Sequence, residues 1–341
     1  MKKGKIILKT VVFLVIFCVL FSAANSILKR KALVGAWNTT VKIGGLANEP
    51  KDSIDVMFFG SSHMYCSINP LELFHRSGVA SYVYSVQQQP IWASYYYIIE
   101  ALKYQSPKLV VLEMYTANYT EEYTSEEVNF SSTDEIGLSK NKIDLIQAMV
   151  PKEERKNHYI EFLKYHTRWK ELTQDDFNLN YKKLTDPNRG YVLLESSQPI
   201  VLNDEEVTAA ADIFEKNIEY LDKIISLSKE KGFDLLFLGS PYQMDMDQKK
   251  VFRAVDLYAQ QNGIPFLDYN HYYEELQLNT ETDYYDKGHV NYKGAKKITE
   301  HFSDYLHQNY QLDDKRGWDG YQNWQEDYET YVAYIKEIEA K

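Results

Sequence analysis

A chain of 341 residues is long enough for one large or two modest domains with a sizeable core. Its formal charge of −11 argues against nucleic acid as a partner, because phosphate binding needs a basic surface. Two cysteines, Cys18 in an N-terminal apolar run and Cys66 in the globular part, form no plausible structural disulfide and leave the redox compartment open. Cys66 reads as a packing residue, since no metal-ligand or redox spacing surrounds it.

The N-terminus carries the first element. Val11 to Leu28 is a run of about 18 mostly apolar residues, near the minimum for a bilayer span. Ser22-Ala23-Ala24 also resembles a signal-peptide cleavage site. The basic cluster Lys29-Arg30-Lys31 marks a membrane edge and favours an uncleaved single-pass anchor over residues 1–31. Lys2, Lys3, Lys5 and Lys9 slightly outnumber that cluster, which places the N-terminus in the cytoplasm and the bulk of the chain outside the cell membrane.

A juxtamembrane linker over 32–51 leads into an alternating pattern. Ile54-Asp55-Val56-Met57-Phe58-Phe59 is a nearly continuous apolar run that stops at Gly60, as expected of a strand buried on both faces. Further strands are predicted over Ala80–Val86, Lys108–Met114, Phe233–Gly239 and Ile264–Tyr269. Helices are predicted over Ile91–Tyr104, Ala209–Lys231, Asp247–Asn262 and Tyr292–Tyr310. This alternation implies right-handed crossovers and a mainly parallel sheet within a domain spanning 52–310. Residues 119–205 interrupt it with charged and aromatic sequence and read as a largely helical insertion, expected to cover or flank the cleft and choose the acceptor. Residues 311–341 read as a helical tail.

In open α/β sheets, ligands and chemistry gather at the carboxyl ends of the strands. Gly60-Ser61-Ser62 falls at such an end, on a tight strand-to-helix turn that would expose a serine hydroxyl beside a helix start. A serine nucleophile needs a base held by a third group. "DYYDKGHVNYKG", Asp283 to Gly294, offers one: Asp286 and His289 lie three apart, while Asn291 and Gly294 shape the start of the last helix.

These two blocks resemble the SGNH (GDSL-type) hydrolase superfamily. Gly60-Ser61-Ser62 stands where that family has Gly-Asp-Ser, and Asp286-x-x-His289-x-Asn291-x-x-Gly294 matches its last block. The resemblance implies a three-layer α/β/α sandwich around a five-stranded parallel sheet. It implies Ser62 as nucleophile, His289 as base and Asp286 as the group that orients it. Ser61 replaces the usual Asp. The family's oxyanion glycine has its nearest equivalent in Gln87, and the family's Asn in Asn118. His63 and Asn291 are counted with the pocket, and His63 is too close to Ser62 in the chain to act as its base. Glu113 reads equally as a pocket residue and as a buried, hydrogen-bonded carboxylate.

With its membrane anchor, the chain resembles the branch that includes the teichoic acid D-alanylation and alginate acetylation proteins. That resemblance implies an O-acyltransferase or esterase acting on a cell-surface glycan or teichoic-type polymer, alongside a multi-span membrane O-acyltransferase and without a cofactor. A free-standing carbohydrate esterase and a non-catalytic glycan-binding scaffold are the competing readings. His271, His289 and Asp283 fit no zinc spacing. Asn38, Asn118 and Asn129 stand in Asn-x-Ser/Thr triplets, which matter only in a eukaryotic secretory protein. Most of the 29 tyrosines read as core and surface, though a flat apolar face with a polar tip also suits stacking on sugars.

Overall fold

The computed structural model describes residues 2–33, 39–203 and 205–340; Asn38 and part of the linker lie outside the described residues. Five strands form one sheet: β1 (Val56–Phe59), β2 (Ser81–Val83), β3 (Leu109–Glu113), β4 (Asp234–Gly239) and β5 (Phe266–Asp268). Their order is β2-β1-β3-β4-β5 and every pairing is parallel, with Val56 beside both Ser81 and Leu109, and Leu109 beside Asp234. Nearly every strand residue is buried, which is why these strands read as unbroken apolar runs rather than as alternating ones.

The helices are α1 (Lys2–Leu28), α2 (Thr39–Gly44), α3 (Ser62–Ser67), α4 (Pro70–Ser77), α5 (Ile91–Ala101), α6 (Glu126–Thr133), α7 (Lys140–Met149), α8 (Arg155–Tyr159), α9 (Glu161–Tyr165), α10 (Glu215–Lys231), α11 (Met246–Asn262), α12 (Tyr292–Asn309) and α13 (Gln322–Glu339). The chain steps from β1 to β2 in one direction and from β2 to β3 in the other. Right-handed crossovers therefore put α3 and α4 on one face of the sheet and α5 on the opposite face. Contacts agree: α12 packs on α3 and α4, while α10 packs on α5. The result is the expected α/β sandwich.

Two predicted boundaries shift for local reasons. The helix predicted from Ala209 begins only at Glu215, because the preceding segment is held extended by a bond from Ala211 N–H to Lys250 O at 3.0 Å. The helix predicted from Asp247 begins at Met246, where Asp245 and Gln248 form a reciprocal capping box.

Within 119–205, α6 and α7 pack near α5, and α9 packs against α1. The return arm, residues 184–198, forms no helix or strand. It is tied instead by backbone bonds: Val83 N–H to Arg189 O at 2.9 Å, Val192 N–H to Tyr65 O at 2.8 Å, Tyr292 N–H to Leu194 O at 3.0 Å and Gln198 N–H to Tyr284 O at 2.9 Å. At the C-terminus α13 packs on α4, and Lys315 Nζ reaches Ser53 O at 2.9 Å and Asp55 Oδ2 at 2.6 Å. The tail thereby clasps the entrance to β1.

Candidate active site

The turn after β1 has its own steric logic. Gly60 has φ +148°, and a Cβ there would stand 2.6 Å from Glu113 Cβ. Only glycine lets β1 and β3 approach so closely at their carboxyl ends. Ser61 then caps α3: its Oγ accepts from His63 N–H at 3.2 Å and donates to Glu113 Oε2 at 3.0 Å. Ser62 is the first residue of α3, so its N–H has no acceptor within the helix and is free to meet a developing oxyanion.

The second half of the site is a short loop before α12. Tyr284 and Val290 form an isolated antiparallel bridge, and Tyr285 N–H donates to His289 O at 2.8 Å. Inside this loop Asp286 Oδ1 accepts from Gly288 N–H at 2.7 Å and His289 N–H at 2.9 Å, which fixes the carboxylate. His289 Nδ1 lies 2.9 and 3.1 Å from the two Asp286 oxygens, and its Nε2 lies 2.8 Å from Ser62 Oγ. An ionised carboxylate only accepts hydrogen bonds. The proton therefore belongs on Nδ1, leaving Nε2 to accept from the serine hydroxyl.

The neighbouring residues divide into those that wall the site and those that brace it. His63 is buried, stacks on Tyr115 at 3.7 Å between ring centroids, meets Tyr242 edge-on at 4.9 Å and lies 5.0 Å from the His289 ring. Burial, and then the neighbouring His289, hold its pKa well below the usual histidine range, so it is a neutral wall. Asn118 donates to Tyr115 O at 2.7 Å and to Tyr242 OH at 3.4 Å, and so positions that aromatic wall. Asn291 is a brace rather than a pocket group. Its Oδ1 caps α12 by accepting from Lys293 and Gly294 N–H, and its Nδ2 donates to Ser197 Oγ at 2.9 Å and Thr282 O at 2.8 Å. Gln87 is exposed on the turn after β2 and has no side-chain bond to these residues, whereas buried Gln89 closes that turn by accepting from Val86 N–H at 3.1 Å.

Three contributors were not singled out from the sequence. Tyr115 and Tyr242 follow the carboxyl ends of β3 and β4, a positional signal that was available. Lys42 of α2 was not legible at all: its ammonium lies 3.7 Å from the Tyr65 ring centroid, one turn beyond Ser62, and burial lowers its pKa to about 8. Glu113 takes the buried, bonded form: its Oε1 accepts from Tyr115 N–H at 2.6 Å, and burial raises its pKa to about 7. Beyond Tyr242, a cavity of about 960 Å³ opens between the loops after β4 and β5, with Met244, Asp268, Asn270, Tyr272 and Tyr273 in its lining.

No family model matches the chain, and no curated protein matches it. Seven chains of solved structures do match. One is a gut microbial diltiazem-metabolizing enzyme, 14% identical, matched over 76% of this chain with a TM-score of 0.27. The match spans 48% of that enzyme, about half its length. A likeness of this size carries no argument about the chemistry of the present chain.

Proposed function

We propose that the chain is a membrane-anchored serine O-acyltransferase or esterase acting outside the cytoplasm. Its substrate is an acyl group, acetyl above all, on a cell-surface polysaccharide or teichoic-type polymer. The single observation that carries the reading is the continuous contact from Ser62 Oγ to His289 Nε2 and from His289 Nδ1 to Asp286.

The chemistry follows from the contacts. His289 Nε2 takes the hydroxyl proton as Ser62 Oγ attacks the acyl carbonyl, and Asp286 stabilises the imidazolium that forms. The Ser62 N–H meets the oxyanion. His289 then returns the proton to the departing alkoxide, leaving an acyl-serine. In the second half, His289 takes a proton from a sugar hydroxyl or from water, which attacks the acyl-serine, and then returns that proton to Ser62 Oγ as the acyl–oxygen bond to the serine breaks. A sugar hydroxyl gives transfer and water gives hydrolysis.

Support for a membrane-side role comes from α1, whose segment Lys3–Leu28 is long and apolar enough to cross a bilayer, although a signal sequence would have the same character. A multi-span membrane O-acyltransferase is the partner such an anchor would suit. The decisive experiment is reaction with a serine-directed fluorophosphonate, read by intact mass. One adduct on the wild-type chain and none on Ser62→Ala is the expected result. An unmodified wild-type chain defeats the proposal.

A further inference from the structure

The end of α1 is gripped by the insertion. Arg168 Nη1 donates to Leu28 O at 2.6 Å, satisfying a carbonyl that the helix end leaves open, while Arg168 Nη2 is paired with Asp176 at 3.0 Å. Lys29 and Lys31 are each only 8% exposed. Lys29 lies 3.7 Å from Glu135 and 3.8 Å from Glu161, and Lys31 Nζ donates to Ser26 O at 2.6 Å and Asp176 O at 2.5 Å. The two lysines of the basic cluster are therefore built into the protein rather than left among lipid headgroups.

The grip reaches back along the apolar helix. The Phe21 ring packs on Phe162 of α9 at 5.1 Å. Phe21 precedes Leu28 by roughly 10 Å of helix rise. With the span running to Leu28, α9 lies alongside its last two turns, at the depth of the interface rather than above it. The turns at His166–Lys170 and Gln174–Phe177 also pack against α1.

Among the exposed side chains of this segment, several are large and apolar. Trp169 is 63% exposed, and Phe177 and Leu179 are each 58% exposed; Ile160 and Leu163 are also exposed. The Lys170 ammonium lies 5.1 Å from the Trp169 ring centroid. Tryptophan and phenylalanine beside lysine are the chemistry of a bilayer interface, where a ring has one wet side and one oily side. Glu171 and Asp175, both exposed, border the patch and would hold it at headgroup level.

We propose that Ile160, Leu163, Trp169, Phe177 and Leu179 form a rim seated in the bilayer interface, which fixes the height and tilt of the domain on the membrane. The occupant is lipid, because the elements that carry or adjoin these residues, α9 and the turns at His166–Lys170 and Gln174–Phe177, pack directly on the apolar helix α1. The rim rests on α1 being a retained span and does not depend on the proposed catalysis.

The test uses the full chain in nanodiscs of phosphatidylcholine and phosphatidylglycerol, with and without brominated acyl chains. Trp169→Phe supplies the reference, so that the difference in emission isolates Trp169 from the other tryptophans; at an exposed position this exchange leaves folding intact. The expected result is strong quenching of the Trp169 component by brominated lipid, relieved in a Phe177→Asp, Leu179→Asp double variant. Equal quenching of wild type and Trp169→Phe overturns the rim, and with it the choice of lipid over a protein partner. A chain that fails to enter the discs overturns the span and the rim together.

Discussion

The Ser61 hydroxyl donates to Glu113 Oε2 at 3.0 Å, so a buried carboxyl lies directly under the turn that presents Ser62. The same carboxyl accepts from Tyr115 N–H, the first residue of the aromatic wall. One side chain thus joins the Ser62 turn to the Tyr115 aromatic cluster across the carboxyl ends of β1 and β3.

That carboxyl should make stability depend on pH. Burial raises its pKa from 4.5 to about 7. Between those values the unfolded chain releases a proton that the folded chain keeps, so its stabilising contribution is complete below about 4.5 and is lost as pH rises through about 7. The scale is on the order of 3 kcal/mol at most. Glu113→Gln keeps an acceptor for Tyr115 and lets the Ser61 hydroxyl reverse its bond. Melting curves from pH 5 to 8 should show a shallower decline for the variant. Parallel curves would remove Glu113 as the cause.

The three members of the hydrogen-bonded chain should act as a unit. Ser62→Ala and His289→Ala are each expected to lower acyl turnover by roughly 10³-fold or more, and the double variant should be scarcely worse than either. Asp286→Asn keeps the loop but favours the wrong tautomer, and should also lose activity. Turnover of an activated ester checks this, and additive losses would mean that the residues act separately.

Asn291→Ala should damage stability rather than chemistry. It removes the α12 cap and the tie to Ser197 and Thr282 together. A loss of about 2 kcal/mol is expected from a cap plus buried bonds. Urea unfolding measures it, with fluorophosphonate labelling retained well below the transition. Unchanged stability would show that the amide is dispensable.

Gly60→Ala should be worse than an ordinary alanine exchange. The positive φ costs about 1–3 kcal/mol, and the new methyl meets Glu113 Cβ. Relief of that clash moves Ser62, so labelling should fall together with the melting temperature. Normal labelling with a normal melting temperature would show that the close approach of β1 and β3 is not needed.

Much of the fold was legible because burial on both faces leaves a mark in composition: "VMFF" and "LVVLE" are nearly pure apolar runs. The Ser62 turn and the Asp286–His289 loop were legible for a different reason, since each is a local chemical pattern that needs no knowledge of the rest. What escaped has no local pattern. The return arm is held by backbone bonds to distant partners such as Tyr65 and Tyr284, and backbone bonds leave no trace in residue type. Lys42 escaped because a lysine in a short helix ordinarily points to water, and only its packing on Tyr65 makes it internal. In the β2 turn, three successive glutamines differ only in which of them faces inward.

His289 and Ser62 stand 227 positions apart in the chain. The residue that would be activated is made near the beginning and the residue that would activate it near the end. A chain that stops before His289 therefore carries a Ser62 without its hydrogen-bond partner, however well its first strands have formed. The proposed reaction would need α12 to be seated on α3 and α4, so that its appearance would report the joining of the first and last parts of the sandwich.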